Sequence, residues 1–403
     1  MFDNLIGHNN IKKLLINDIN NNSLSNAMIF LGNKFSGRLT ASIEFTRIIN
    51  CLDNKKIDCK CNNCKRINDF NFEGLVLLSR RDNSLILNNL ILSYGKNNDS
   101  IYIEKIINLL KITFLPLQDF LIKDAFNENE KNEINKIAEN IFNIVNNTDY
   151  NLNNFKKAYD AILKLQNLYK KMNIPVNSIR SMLEWTYISQ PDINRVVIVD
   201  HVDLLEKSSQ NILLKRLEEP SKNLYFILIA ENLNNIVKTI LSRCRTYYFK
   251  KLNQNDINII IKNEFNDSGD FKSLSHYLFR NDELSLDNIF PIIIKLLNLV
   301  FLKEAPFFEL ISFINAYNEK KIVKTILIEL SRFLEKELSR REIGLNEESD
   351  LIMLKTVNTI HLKFLNTMIT ENINKLDIYS LNPILLLEGI FYPLKAMAQY
   401  DQI

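Results

Sequence analysis

Two short stretches of this sequence carry residue types that could do chemistry. In "FLGNKFSGRLT", Phe30 to Thr40, Gly32 and Gly37 have four residues between them, as in the phosphate loop G-x-x-x-x-G-K-[ST]. Arg38 stands where that loop has its lysine, and Leu39 where it has a magnesium-binding hydroxyl. In "CLDNKKIDCKCNNC", the cysteines Cys51, Cys59, Cys61 and Cys64 fall within fourteen residues. Thiolates clustered in this way are soft ligands that favour a closed tetrahedral zinc shell, structural in type and without an open position for catalysis. The spacing C-x7-C-x-C-x2-C is less regular than paired C-x2-C knuckles, so a three-cysteine site or a metal-free loop stays open as the alternative. The glycine pair leaves three readings: an ATP site, the relic of one, or an ordinary tight turn.

The elements around these residues decide between the readings. "AMIFLG" is a short apolar run that predicts a buried strand, and "SGRLTASIEFTRIIN" has helix-spaced apolar residues. The glycines therefore mark a strand-to-helix turn, which aims backbone N–H groups and a helix N-terminus at an anion. With 8 glycines in 403 residues, two at this spacing are not random filler. A nucleotide site needs a second strand ending in carboxylates, and "RVVIVDHVDLL" runs four apolar residues into Asp200. Directly after it comes His201, where hydrolytic sites of this kind have a glutamate; a histidine holds a proton but supplies no fixed negative charge. "SSQNILLKRLEEPSKNLYFILIAENLNNIVKTILSRCRTYYF" then reads as a helix stopped at Pro220, the strand "LYFILIA", a short helix, and a loop with Ser242, Arg243 and Cys244.

The bulk properties bound the rest. A chain of 403 residues is too long for one ordinary core and predicts two or three domains. The formal net charge of +3, from 50 basic and 47 acidic residues, gives no licence to infer nucleic-acid binding from charge. The abundance of Asn, Ile and Lys, as from an AT-rich genome, also makes generic basic patches uninformative. "MFDNLIGHNN" has neither the basic start nor the apolar run of a secretory signal. "FPIIIKLLNLVFL", Phe290 to Leu302, is broken by Lys295 and Asn298 and reads as a core helix. A cytoplasmic location with reduced cysteines is the expectation.

"NILLKRLEEPSKN", "TILSRCR" and the opening "FDNLIGH" resemble the AAA+ subunits of bacterial clamp loaders. The four cysteines between the phosphate-loop helix and the next strand are similar to that family's zinc module, C-x8-C-x2-C-x2-C. The resemblance covers residues 1–81 and 174–250, and extends more loosely to "LNPILLLEGIFYPL" near the end. It implies an α/β AAA+ core, a parallel sheet flanked by helices, over residues 1–250 with the zinc module at 51–64. An all-α lid over 251–289 and an all-α collar for oligomerisation over 290–403 would follow. Between "LVLLSRRD" and "IPVNSIRSML" the family has only a few residues. Here an insertion of about ninety, over 82–173, carries the amphipathic patterns "YIEKIINLLKI", "KNEINKIAENIFNIVNN" and "NNFKKAYDAILKLQNLYKK". It predicts three helices on the flank of the core, either as a spacer or as a partner-binding surface.

The departures from the family carry the functional expectation. Motor subunits keep G-x-x-x-x-G-K-[ST] and D-E-A-D, whereas this chain lacks the lysine, the hydroxyl and the glutamate. Arg38 is cationic, but its planar fork is not a point charge, and Leu39 has no oxygen for a metal. Gly32, Gly37, Arg38, Leu39, Asp200 and His201 thus read as a degenerate nucleotide site in which ATP binding is doubtful and turnover absent. With "SRC" and four cysteines retained, this combination resembles the delta-prime branch of the family. The implied role is a non-catalytic subunit of the DNA polymerase III holoenzyme. Its partners would be motor ATPase and delta-type subunits, the sliding clamp indirectly and primed DNA within the complex, with no membrane. Arg243 would be an arginine finger offered in trans to a neighbouring ATPase; its alternative is a pair with a local carboxylate. An active motor-type ATPase with an atypical loop and a zinc-dependent nucleic-acid binder are the competing functions.

Overall fold

A parallel sheet cannot be closed by hairpins; each strand must return over one of its faces, so both faces are covered and the strands become apolar on both sides. The computed structural model shows such a sheet, and describes residues 1–146, 150–169, 174–188, 192–269, 271, 273–280, 286–302, 304–317, 319–342, 357–378 and 381–399. Its strands are β1 (Ala27–Gly32), β2 (Leu75–Leu78), β3 (Arg195–Val199), β4 (Leu224–Ala230) and β5 (Arg245–Phe249). All pair in parallel in the order β2-β3-β4-β1-β5. The period-2 alternation sorts β1 cleanly: Met28 and Phe30 enter the core on one face with Phe45 and Ile48, while Ala27 and Ile29 enter the core on the other with Leu213 and Leu217.

The helix α1 (Asn9–Asn20) and α2 (Arg38–Asn50) cover the first face. The short α3 (Asn62–Asn68) packs on α2 and carries the end of the cysteine loop. Between β2 and the following core helix lies an insertion that is helical in its described residues. Its elements are α4 (Ser84–Asn97), α5 (Ser100–Phe114), a 3-10 turn at Leu115–Leu117, α6 (Asp119–Ile122), α7 (Glu128–Asn146) and α8 (Leu152–Tyr169). The sequence predicts three helices here, and α5, α7 and α8 are those three; α4 and α6 are additional. The segment "SLILNNLILSYGKN" of α4 shows no clean apolar stripe because it is wedged against α5, α8 and a later helix, burying Leu87, Asn89, Leu90, Ile91, Ser93 and Tyr94 on more than one side. The second face of the sheet is covered by α9 (Val176–Trp185) and α10 (Lys207–Glu218), and α11 (Lys238–Leu241) leads into β5. After β5 come α12 (Gln254–Phe265) and α13 (Leu274–Phe279).

The chain divides into two compact units, Met1–Leu278 and Phe279–Ile403. Among the described residues the second is helical: α14 (Leu286–Phe301), α15 (Phe307–Ala316), α16 (Lys320–Glu342), α17 (Thr359–Ile378) and α18 (Pro383–Gln399). Ile293, Leu296, Leu297 and Val300 of α14 are buried in one core with Leu327, Leu330 and Leu334 of α16, Leu365 and Ile369 of α17, and Phe391 of α18. The apolar run from Phe290 is thus a helix of that core. Lys395 is fully buried there and donates from Nζ to the carbonyl of Leu302 at 2.6 Å. Among the described residues, no helix is long and apolar enough to cross a membrane.

Candidate functional site

Ligands of open parallel sheets bind beyond the carboxyl ends of the strands, and the ends of β1, β3 and β4 bring the predicted residues together. Gly32 closes β1. A Cβ added to it would stand 2.5 Å from the carbonyl oxygen and 2.7 Å from the Cβ of Phe249 on β5, so the neighbouring strand itself demands glycine. Gly37, just before α2, has φ +80°, a conformation open chiefly to glycine. Both glycines therefore meet a requirement of the fold. Between them Phe35 also holds positive φ, at 62°.

Arg38 opens α2 and is almost fully buried. Its guanidinium turns to the end of β4, donating from Nη1 to the carbonyl of Ala230 and from Nη2 to Oε1 of Glu231 at 3.1 Å. Burial pulls the Arg38 pKa below its ordinary value, against the opposing charge of Glu231. Leu39 faces the other way and joins the core of the sheet with Phe45 and Ile48. Where a magnesium-binding hydroxyl would stand, the chain has a packing residue.

Asp200, at the end of β3, has no exposed surface. Ser79 Oγ donates to its Oδ2 at 3.0 Å; Arg81 donates from Nε to Oδ2 at 3.0 Å and from Nη2 to Oδ1 at 3.1 Å. Nδ1 of His201, whose backbone is left-handed at φ 57°, lies 3.3 Å from Oδ1. Burial pushes the Asp200 carboxyl up, but the Arg81 charge and the His201 and Arg81 hydrogen bonds outweigh it and hold the group well below the carboxylate range. Asp203 is held through one oxygen: its Oδ2 accepts the backbone N–H groups of Glu231 at 3.1 Å and Asn232 at 3.0 Å, while its buried Oδ1 has no hydrogen-bond partner among the described residues. Lys34, Arg38, Arg80 and Arg81 line a cavity of about 260 Å³ with Asp82, Asp200 and Glu231. Around it Arg38 is paired with Glu231, and Arg81 with Asp200.

Ser79, Arg81, Asp203 and Glu231 escape a reading of the sequence. The pair Arg81–Asp200 spans 119 positions with the whole insertion between, and the only local sign is two arginines one residue beyond the apolar run of β2.

The cysteines come together. Their four sulfurs all lie within 4.8 Å of one another, with Cys51 and Cys59 at 3.5 Å. Metal–sulfur bonds of about 2.3 Å in a tetrahedron put sulfurs about 3.8 Å apart, so the donor set fits a metal ion. Cys51 follows α2 and accepts the N–H of Lys55 at 3.2 Å; Cys61 caps α3 and accepts the N–H of Cys64 at 3.5 Å. Burial raises the Cys61 thiol, but backbone N–H groups of Cys64 and Leu52 and the neighbouring thiols bring it down to about 7. Fully buried Arg47 of α2 braces the loop, donating to the carbonyl of Lys56 at 2.6 Å and to Glu44 Oε2 at 2.8 Å.

Arg243 lies elsewhere. The parallel register pairs Met28 with Arg245 and Gly32 with Phe249, so Arg243 sits beyond the amino end of β5 and the phosphate-loop glycines at the carboxyl end of β1. About 3.3 Å per residue along the strands separates the two ends. The guanidinium pairs with Glu218 Oε1 at 2.5 Å and donates to the carbonyl of Thr239 at 2.8 Å. Gln210 steadies the approach to α11 by donating to the carbonyl of Asn235 at 2.9 Å and accepting from the N–H of Val237 at 2.9 Å. Burial pushes the Cys244 thiol up to about 12, with Arg243 opposing.

A family described as DNA polymerase III, delta subunit, matches residues 7–253. The chain is 26% identical over 251 residues to the DNA polymerase III subunit gamma/tau of Mycoplasma genitalium, covering 62% of this chain and 28% of that protein. It is 24% identical over 243 residues to the subunit delta' of Bacillus subtilis, covering 60% of this chain and 47% of that one. A 69-residue stretch is 42% identical to the subunit gamma of Buchnera aphidicola subsp. Baizongia pistaciae, 17% of this chain and 19% of the relative. The matched stretch thus spans less than half the length of each of these relatives. The family match takes in the whole sheet, the phosphate-loop turn, the four cysteines and Arg243, more than half of the sequence, and the chain belongs to the DNA polymerase III delta subunit family.

Proposed function

We propose that this chain is a non-hydrolytic, delta-prime-like AAA+ subunit of the DNA polymerase III clamp loader, which helps to place the sliding clamp on primed DNA. The observation that carries this reading is the internal neutralisation of the nucleotide site. Phosphoryl transfer needs cations aimed at phosphate, a metal-binding hydroxyl and carboxylates free to hold the metal. Here Arg38 is spent on Glu231 and Ala230, Leu39 is in the core, and both oxygens of Asp200 are held by Arg81. No carboxylate at His201 replaces them. The same geometry disfavours binding of ATP, since a nucleotide would have to break two partly buried ion pairs.

In this reading Arg243 serves a neighbour. It stands at the opposite end of the sheet from its own phosphate loop, so any phosphate it meets belongs to another subunit, where its charge would stabilise the transition state. The Glu218 pair is partly exposed and weak enough to yield on assembly. The four cysteines would hold structural zinc, α12 and α13 belong to the lid, and the helices of the second unit form the collar. Partners are motor ATPase and delta-type subunits, within a cytoplasmic replisome.

The relatives named gamma/tau favour a second reading, a motor-type ATPase with an atypical loop. A hydrolysis assay on the purified chain separates the two. The proposed function predicts no release of phosphate above that of a Gly37→Asp control; turnover that the control abolishes establishes the motor reading.

A further inference from the structure

The last helices of the first unit depend on the insertion for groups that a helix cannot supply itself. The final carbonyls of any α-helix lack intrahelical donors and must find them elsewhere. At the end of α12, the hydroxyl of buried Tyr102 on α5 donates to the carbonyl of Phe265 at 2.9 Å. Lys105, one turn on, donates to the carbonyl of Glu264 at 3.1 Å and to that of Asn263, and its charge suits the negative end of the helix dipole. At the end of α13, buried Asn89 of α4 donates to the carbonyl of Leu278 at 2.7 Å. The apolar groups follow: Ile257, Ile261, Phe265, Tyr277 and Leu278 share one core with residues of α4, α5, α7 and α8.

The insertion reaches the phosphate loop as well. Phe35, between the two glycines, packs against that same core. Gln166 of α8 donates to the carbonyl of Arg81 at 3.1 Å, fixing the backbone from which the Arg81 guanidinium reaches Asp200. One body of helices thus touches the phosphate loop, the arginine that closes the end of β3, and the ends of both helices that follow the sheet.

We infer that the insertion is an internal brace, standing in for a ligand by holding the phosphate loop and the α12–α13 segment in one fixed arrangement. A ligand moves a segment only through a difference in affinity between two positions. Here the helix ends are already capped, and Arg38, Arg81 and Asp200 of the site are already paired by this chain's own residues, so little such difference is left. The inference deepens the proposed non-hydrolytic role, yet its contacts stand whatever the chain's ATPase activity is.

Hydrogen exchange of the complete chain tests it with the variant Tyr102→Phe/Lys105→Met, which removes capping donors while keeping the packing volume, beside Lys136→Ala on α7 as a control. Loss of these capping bonds is expected to speed exchange of the α12 amides by about tenfold or more, leaving β1, β3 and β4 unchanged. In the unaltered chain, millimolar Mg-ATP is expected to leave exchange of residues 32–38 and 254–278 unchanged. Exchange of α12 in the variant equal to that of the control, or protection of both segments by Mg-ATP, overturns the brace. Phosphate release in the same samples reports separately on the non-hydrolytic reading.

Discussion

Arg81 and Asp200 form a closely held charge pair at the end of β3. Asp200 is wholly buried and Arg81 is its charged partner, flanked by Ser79 and His201. Removing one member of a buried pair strands the other, which costs about 3–5 kcal/mol. Arg81→Met should therefore lower the unfolding free energy by that scale, seen as a lower urea midpoint in circular dichroism. The pH dependence has a definite sign. The folded pKa of Asp200 lies below its unfolded value, so its stabilisation is complete above about pH 4 and is lost as pH falls toward the depressed folded value. Asp200→Asn should flatten that acid limb of stability. An acid limb identical in the two proteins would show that the carboxylate is not held by charge in the folded chain.

At the scale of elements, the cysteine loop predicts its own behaviour. Four thiols converge between α2 and α3 with backbone N–H groups turned toward two of them, and a buried arginine ties the loop to α2. Elemental analysis should give one zinc per chain. Chelation should raise hydrogen exchange over residues 51–68 while β1 and β3 stay protected, because the sheet has its own core. Loss of sheet protection on chelation would mean that the metal holds more than its loop. The strands β1, β3 and β4 were legible because a parallel sheet buries both faces and leaves continuous apolar runs. The convergence of the cysteines was legible from spacing and thiol chemistry. The helix α4 was not, since burial on several sides erased its stripe, and the Arg81 contact was not, since two arginines after β2 do not say which partner lies across the insertion. Arg38 was seen, but whether its fork faced a phosphate or Glu231 is a matter of side-chain direction that no spacing encodes.

At the scale of the whole molecule, the two ends of the sheet have different fates. At the carboxyl end, where an active module would hold its nucleotide, Arg38 and Arg81 are paired with Glu231 and Asp200, and the insertion braces the backbone of Arg81. The amino end presents Arg243 about one third exposed, paired only to the partly exposed Glu218 among its carboxylate contacts in the described residues. Under the proposed function, a subunit built in this way acts through what it gives its neighbour. The most direct test is the DNA-stimulated ATPase of a clamp loader reconstituted with the Arg243→Ala chain, with assembly checked by gel filtration. The account predicts an intact complex whose hydrolysis at the adjoining motor site falls by at least about tenfold, within the range of in-trans arginines. An intact complex with unchanged ATPase and unchanged clamp loading would contradict it.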